Sequence, residues 1–337
     1  MNARALVRYL SITGALLSVV GVTSVTGCAL FQSEQVAKGH ELYAHYCSHC
    51  HGENGRQNEG YNWMSMPDPR PKDLSNKSEM STFTDEEIFQ TISRDMKDTT
   101  PEIGDTIGDD EFAVPTMPTF KYTLSEEEIW SIVAYVRTLH GMKLSYNVEE
   151  RKKEIDNALK EAQTRYDEAL SAYEAAEQKA NDEAEKSGKD VDDEAYAKES
   201  DALSEAKKAL DQAKNAEEYF AKRPKYTQIQ RPNLSMDPEK AAELATLGKR
   251  LYSNKYGCNA CHALAETGGK VGPELDRAGF RLNPTWVYRW IKYPQAMKPE
   301  TRMPNLGISD PDAKAISMYL STLRAPRPEQ APDKPAS

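Results

Sequence analysis

Apolar residues recur at helical spacing in three parts of the chain. The first stripe follows a capping box at Ser125-Glu126-Glu127-Glu128 and consists of Ile129, Ile132, Val133, Val136 and Leu139. The second follows Asp310-Pro311, where proline suits a first helical turn, and consists of Ala313, Ile316, Leu320 and Leu323. Both patterns predict short amphipathic helices.

The third pattern fills residues 148–222, where apolar positions alternate by four and three as in a heptad repeat. Its first half comprises Ile155, Leu159, Ala162, Tyr166, Ala169, Tyr173, Ala176 and Ala180. Its second half comprises Tyr196, Leu203, Ala206, Leu210, Ala213 and Phe220. The segment has no proline and one glycine, Gly188, in a plausible turn. We therefore predict an antiparallel coiled-coil hairpin rather than one helix of about 110 Å.

Charge is concentrated in the same segment. The chain has a formal net charge of −10, and residues 148–222 alone carry −9. The acidity therefore says little about surfaces elsewhere, and it gives no indication of nucleic-acid binding. The simplest interpretation of the segment is a solvated spacer.

The N-terminus has the pattern of a targeting segment. Arg4 and Arg8 precede an uncharged run that reaches Phe31 and contains Val25-Thr26-Gly27-Cys28. Small residues before a cysteine resemble a bacterial lipoprotein signal, which implies cleavage before Cys28 and lipid on that residue. The alternative is an uncleaved membrane helix. Either interpretation predicts a membrane-tethered protein facing the periplasm, and Ala29 after the cysteine favours the outer membrane.

The candidate chemistry lies in a pentapeptide that occurs twice. Cys47-Ser48-His49-Cys50-His51 and Cys258-Asn259-Ala260-Cys261-His262 share the pattern C-x-x-C-H. A zinc site needs two such pairs close together, but 207 residues separate Cys50 from Cys258. A thioredoxin-like dithiol needs a βαβ context, which is absent from the pattern. Two thiols for the vinyl groups and a histidine for the iron indicate covalent haem attachment.

The surroundings of the motif are also repeated. Gly-x-x-Leu-Tyr precedes each copy, at Gly39 and at Gly248. A Met-Pro pair follows each copy, at Met117-Pro118 and Met303-Pro304, and each pair leads into one of the short helices. The chain therefore contains an internal repeat of helix, motif, loop, methionine and helix.

Each repeat resembles a class I cytochrome c domain, over residues 36–142 and 240–324. The resemblance implies a helical fold around two covalently bound haem c groups, attached through Cys47, Cys50, Cys258 and Cys261. His51 and His262 match the family's proximal ligands, and Met117 and Met303 match its loop methionines. Pro273 matches the residue whose carbonyl orients the proximal histidine, whereas the first repeat has no clear counterpart.

The predicted fold is all-α, with two small cytochrome c-like haem domains separated by the hairpin. We expect a signal peptide at 1–27, a first haem domain at 29–146, the hairpin at 148–222, a second haem domain at 237–324 and a disordered tail at 325–337.

Other side chains compete with the two methionines for the iron. For the first haem these are Met64, Met66, His40, His45, His49 and His140, so a bis-histidine site stays open. For the second haem they are Met297 and Met318. The tryptophans are interpreted as core or haem-wall residues.

Two six-coordinate irons would only exchange electrons, which favours a membrane-anchored electron carrier over an enzyme. Expected partners are redox proteins: a quinol-oxidising complex, a terminal oxidase or reductase, or other cytochromes. One alternative is a dihaem oxidoreductase, similar to peroxidases or thiosulfate dehydrogenases, with one open iron. Another is a cytochrome subunit of a larger respiratory complex.

Overall fold

The computed structural model describes residues 23–56, 59, 70–95, 117–188, 190, 193–226 and 231–326, with the side chains of 23–33 and 193 excluded. The helices of the first part are α1 (Thr23–Tyr46), α2 (Ser48–His51), α3 (Lys77–Met80), α4 (Asp85–Ser93) and α5 (Glu126–Leu139). The long helices are α6 (Val148–Ser187) and α7 (Ala197–Ala221). The last part contains α8 (Pro238–Arg250), α9 (Ala278–Arg281), α10 (Pro284–Lys292), α11 (Pro294–Met297) and α12 (Asp310–Thr322). The described residues form no strand, which confirms the all-α prediction.

The same helix crossing occurs once in each repeat, and a glycine makes it possible. α1 crosses α5 where Gly39 lies against the backbone carbonyl of Ser131, and a Cβ on Gly39 would overlap that oxygen. α8 crosses α12 where Gly248 lies against the carbonyl of Ala315 in the same way. The glycine of the Gly-x-x-Leu-Tyr signature is therefore required for close packing of the first and last helices of each repeat.

The tyrosine of the signature packs one turn beyond each crossing. Tyr43 contacts Tyr135 with ring centroids 5.0 Å apart, and Tyr252 contacts Tyr319 at 5.6 Å. Both signature tyrosines are buried in the apolar core of their repeat. The two repeats thus use the same contacts to place the segment that follows, which contains the cysteines.

Helix starts agree with the local signals. Ser125 caps α5 in a complete capping box with Glu128, as predicted. α12 begins at Asp310-Pro311, with Ser309 as its N-cap. α4 is absent from the predicted elements, although Thr84 and Glu87 form a second capping box that could have indicated it.

The long helices α6 and α7 pack side by side in opposite directions. α6 ends at Ser187, and the left-handed conformation of the next residue, Gly188, with φ of 65°, suits a glycine after a helix. The ring of Tyr196 near the start of α7 lies 5.6 Å from that of Tyr173, late in α6. Phe220, at the end of α7, joins Val148 and Ile155 at the start of α6 in the core of the first repeat. The chain therefore leaves the first repeat and returns to it.

The predicted targeting segment is largely outside the described residues, which begin at Thr23. The backbone of Cys28 lies within α1, and its side chain is not among those described. Residues 327–337 of the predicted tail are also outside the description. None of the helices in the described part of the chain combines the length and apolarity needed to cross a membrane.

Candidate haem-binding sites

The first C-x-x-C-H motif begins directly after α1. Cys47 is buried, and Cys50 and His51 belong to the short helix α2. The hydroxyl of Tyr43 donates a hydrogen bond of 2.7 Å to the carbonyl of Gly52, just after the motif. The crossing of α1 and α5 therefore fixes where the motif starts, and Tyr43 fixes where it ends.

His51 is held by a backbone carbonyl. Its Nδ1 lies 3.2 Å from the carbonyl oxygen of Lys72. Because a carbonyl can only accept, Nδ1–H is the donor, and Nε2 keeps the lone pair that a metal requires. Burial lowers the pKa of His51, which keeps the imidazole neutral and able to act as a ligand.

A cavity of about 410 Å³ lies beside this histidine. Its wall contains Cys47, Cys50 and His51, and also Met117 and Pro118 from the distant loop. Much of the remaining wall is apolar, contributed by Met80, Phe83, Ile88, Ile92, Phe120, Ile132 and Val136. A cavity of this size, with a largely apolar wall beside two thiols and a histidine, suits a large apolar cofactor.

The second motif has the same histidine contact in a tighter form. Nδ1–H of His262 donates to the carbonyl of Pro273 at 2.8 Å, the contact expected from the sequence. Gly272 lies directly against the imidazole ring, where a Cβ would overlap it. Burial lowers the pKa of His262 as well. The loop 268–273 therefore fixes both the position and the tautomer of this ring.

Met303 is held on three sides in the second repeat. The indole N–H of Trp290 donates to the Met303 sulfur at 3.0 Å. The side chain of Gln295 donates to the Met303 carbonyl at 2.7 Å, and the Met303 N–H donates to the Thr301 hydroxyl at 3.3 Å. These contacts within the polypeptide fix the position of the Met303 sulfur.

The cysteines do not have the properties of redox thiols. Burial raises the pKa of Cys47, Cys258 and Cys261 to about 12 and that of Cys50 to about 11. A redox dithiol needs a lowered thiol pKa, because the thiolate is the reactive form. In the described part of the chain, no group of three or more His, Cys, Asp and Glu side chains could hold a metal ion.

The two motifs meet at one wall, although they are far apart in sequence. Ala260 and Cys261 of the second motif line the cavity beside His51, together with Val271, Arg302 and Pro304. Arg302 also contacts His49 between the two cysteines of the first motif. The cavity of the first repeat is therefore completed by the second repeat.

The other side chains that could bind the iron differ in where they lie relative to the cavity. His45 and His49 line the cavity, whereas the ring of His40 packs at a tilt against that of Tyr135, with ring centroids 4.9 Å apart. His140 is buried, with its Nδ1–H directed to the carbonyl of Leu74 at 3.0 Å. Met318 lies within α12, and Met64 and Met66 are outside the described residues.

Family comparisons identify both repeats. Residues 36–140 match the family model described as cytochrome c. Residues 243–320 match the model described as cytochrome c oxidase, cbb3-type, subunit III. The chain is a two-domain c-type cytochrome. Its domains are of the kind that binds haem c covalently. No curated protein and no solved structure matches the chain significantly.

Several site residues of this cytochrome were not predicted from the sequence. Lys72 in the first repeat is the counterpart of Pro273 in the second. The sequence signal that could have revealed this correspondence is the acidic residue and leucine that follow each of them, Asp73-Leu74 and Glu274-Leu275. The role of Trp290 at the Met303 sulfur had no local signal. The spacing from His51 to Lys72 is 21 residues, against 11 from His262 to Pro273, which hid the correspondence.

Proposed function

We propose that the protein is a dihaem electron carrier of the cell envelope, with one haem c in each domain. Cys47 and Cys50 would hold the first haem and Cys258 and Cys261 the second. His51 and Met117 would bind the first iron, and His262 and Met303 would bind the second. Bound haem iron supplies one-electron exchange between its ferric and ferrous states.

The observation that supports this proposal is the cavity shared by the two repeats. His51 and Met117 line the same cavity, and Cys261 of the second motif lines it as well. A thioether and an imidazole that line one cavity are the two side-chain types that would hold a haem iron there. Contact between the two motifs would let electrons pass directly from one haem to the other.

The residues around the haems would control the sites without reacting themselves. The Lys72 and Pro273 carbonyls hold the histidine rings in the tautomer that leaves Nε2 for the iron. The largely apolar wall would keep water away from the bound group, which would favour the ferrous state with its smaller charge.

We further propose that lipid on Cys28 anchors the protein to a membrane with its folded part in the periplasm. Two anchoring chains or signals are needed for stable attachment, which a lipoprotein provides. Tethering would raise the effective concentration of the carrier near membrane redox partners. These partners would be a quinol-oxidising complex, a terminal oxidase or reductase, or other cytochromes.

Carbon monoxide binding to the fully reduced protein tests the electron-carrier proposal, with covalent haem quantified alongside. We expect two haems and no rapid CO binding to either. Met117→Ala and Met303→Ala should each open one iron to CO, which would assign the ligands individually. Rapid CO binding by the wild-type protein would favour the dihaem oxidoreductase instead, and fewer than two haems would refute the dihaem assignment.

The match of the second domain to a cbb3-type oxidase subunit favours a second candidate, a cytochrome subunit of a respiratory complex. Electron transfer would still be its role. Gentle detergent extraction followed by size measurement separates the candidates, because a stable large assembly supports the subunit and a monomer supports the free carrier.

A further inference from the structure

The loop that carries Met303 is attached to the first domain by a hydrogen bond. The backbone N–H of Asn305 donates to the hydroxyl of Thr123 at 2.9 Å. Both residues are only 2 % exposed, so water does not compete for this contact. The bond joins residues 182 positions apart and crosses from one domain to the other.

A second contact lies two residues further along the same loop. Gly307 adopts a left-handed conformation, with φ of 64°, and a Cβ there would overlap the ring of Tyr122. Tyr122 is itself held at two points. Its hydroxyl contacts Asp95, and its backbone carbonyl accepts a hydrogen bond from the Tyr226 hydroxyl at 3.2 Å. Gly307 therefore packs on a fixed surface of the first domain.

Tyr122 and Thr123 belong to the segment that continues from Met117 and Pro118. Residues 117–124 form the first methionine loop, and residues 301–308 form the second methionine loop. The two contacts above join these loops to each other directly. Arg302, next to Met303, adds a third contact by reaching His49 and the cavity of the first domain.

We propose that the two methionine loops act as one coupled unit, in which Thr123 and Tyr122 are positioning residues for Met303. The inference rests on the proposed function, because it assumes that Met303 is the ligand of the second iron. Displacement of either loop would then weaken methionine ligation at the other haem. Such coupling is reciprocal, so the state of each haem site would influence the other.

The test compares Thr123→Val with Thr123→Ser and Thr138→Val in the full-length protein carrying its haems. Valine keeps the shape of threonine but removes the acceptor for the buried Asn305 N–H, whereas serine retains the hydroxyl. Thr138 is the matched control, since its hydroxyl donates within α5 to the Tyr135 carbonyl at an exposed position. Met303→Ala serves as the reference variant, because its absorption spectrum with CO identifies CO binding at the second haem.

We expect Thr123→Val to speed CO binding at the second haem roughly tenfold, which corresponds to about 1.4 kcal/mol. Thr123→Ser and Thr138→Val should match the wild-type protein. Gly307→Ala, which pushes the loop away from Tyr122, should act in the same direction as Thr123→Val and serves as an independent variant.

Hydrogen exchange at the Asn305 amide provides a readout that does not depend on the haem. Thr123→Val should reduce the protection of this amide, and Thr123→Ser should preserve it. The coupling is refuted if Thr123→Val leaves both the CO-binding rate and the Asn305 protection at wild-type values. If Met303→Ala does not open the second haem to CO, the ligand assignment under the proposed function is what fails.

Discussion

At the scale of single residues, the site depends on a few side chains that contact the proposed ligands. The indole N–H of Trp290 points at the Met303 sulfur, and Trp286 stacks on Trp290 with ring centroids 5.2 Å apart. Gly272 leaves room for the His262 ring. Substituting one of these residues therefore tests a single contact at the site.

Replacing Trp290 by phenylalanine should lower the reduction potential of the haem that we propose for the second domain. With Met303 as the proposed ligand, the indole N–H would withdraw electron density from the thioether, which would favour the ferrous iron. One such hydrogen bond is worth roughly 1 kcal/mol, equivalent to tens of millivolts for one electron. Spectroelectrochemical titration measures the shift, and Trp286→Phe is the control, since the stacked neighbour makes no such bond. Equal shifts in both variants would contradict this role.

Gly272→Ala should prevent haem attachment in the second domain alone. The added methyl group would overlap the His262 ring and displace it from the Pro273 carbonyl. Mass spectrometry of proteolytic peptides should find haem on Cys47 and Cys50 but little on Cys258 and Cys261. The first motif thus serves as an internal control, and full occupancy of both motifs would show that the ring can move without consequence.

At the scale of secondary-structure elements, a buried ion pair ties several segments of the first domain together. Arg137 of α5 donates to Asp85 of α4 at 2.5 Å, and to the carbonyls of Met80 and Phe83. Asp85 also accepts from the N–H groups of Ser145 and Tyr146, which lead into α6. Both charged side chains are almost fully buried. This pair therefore fixes the base of the hairpin to the haem domain.

Asp85→Asn should lower the free energy of unfolding by about 3–5 kcal/mol, because Arg137 would keep a buried charge without its counterion. Burial raises the pKa of Asp85, but hydrogen bonds from Ser145 and Arg137 outweigh it and leave the pKa below its usual value. Because the folded-state pKa is depressed, this stabilisation is present above the unfolded carboxyl pKa of about 3.9 and disappears as the pH falls through the folded-state value.

Urea unfolding of the wild-type and Asp85→Asn proteins over a range of pH measures this effect. The difference between them should be constant near neutral pH and shrink only in acid. A difference that widens in acid would contradict the assignment. Asp167→Asn, at an exposed position of α6, is a control that should change stability little.

At the scale of the whole molecule, the hairpin serves as a connection that returns the chain to its starting point. Among the described residues of the hairpin, those at its base join the core of the first domain, through Val148, Ile155 and Phe220. Beyond the base, Arg223 pairs with Glu128 at 2.8 Å, and the ring of Tyr226 lies 5.3 Å from that of Tyr293 in the second domain. The contact between the domains therefore depends on the base and the following linker.

Deleting residues 166–206 and closing the gap with a short Asn-Gly turn should leave both haems and their potentials unchanged, because the base contacts are retained. Haem content and redox titration measure this outcome. Phe220→Ala is the contrasting variant, expected to cost about 3–5 kcal/mol of stability because it removes a buried aromatic ring from the core. Loss of haem from the shortened protein would show that the distal hairpin also supports the domains.

Features determined by local chemistry could be predicted from the sequence. The two C-x-x-C-H motifs, the capping box of α5, the start of α12 and the helical pattern of α6 depend on residues within a few positions of each other. The resemblance to class I cytochromes c added the contact between His262 and Pro273.

Contacts between distant segments were decided only by the tertiary structure. Lys72 as the acceptor for His51, the packing of Gly39 and Gly248 at helix crossings and the bond from Asn305 to Thr123 leave no periodic trace in the sequence. The meeting of Cys261 with the cavity of the first motif likewise required the chain to return along α7. Hydrophobic spacing reports which face of an element is buried, but not which other element covers it, so only the folded chain could bring the two motifs to one wall.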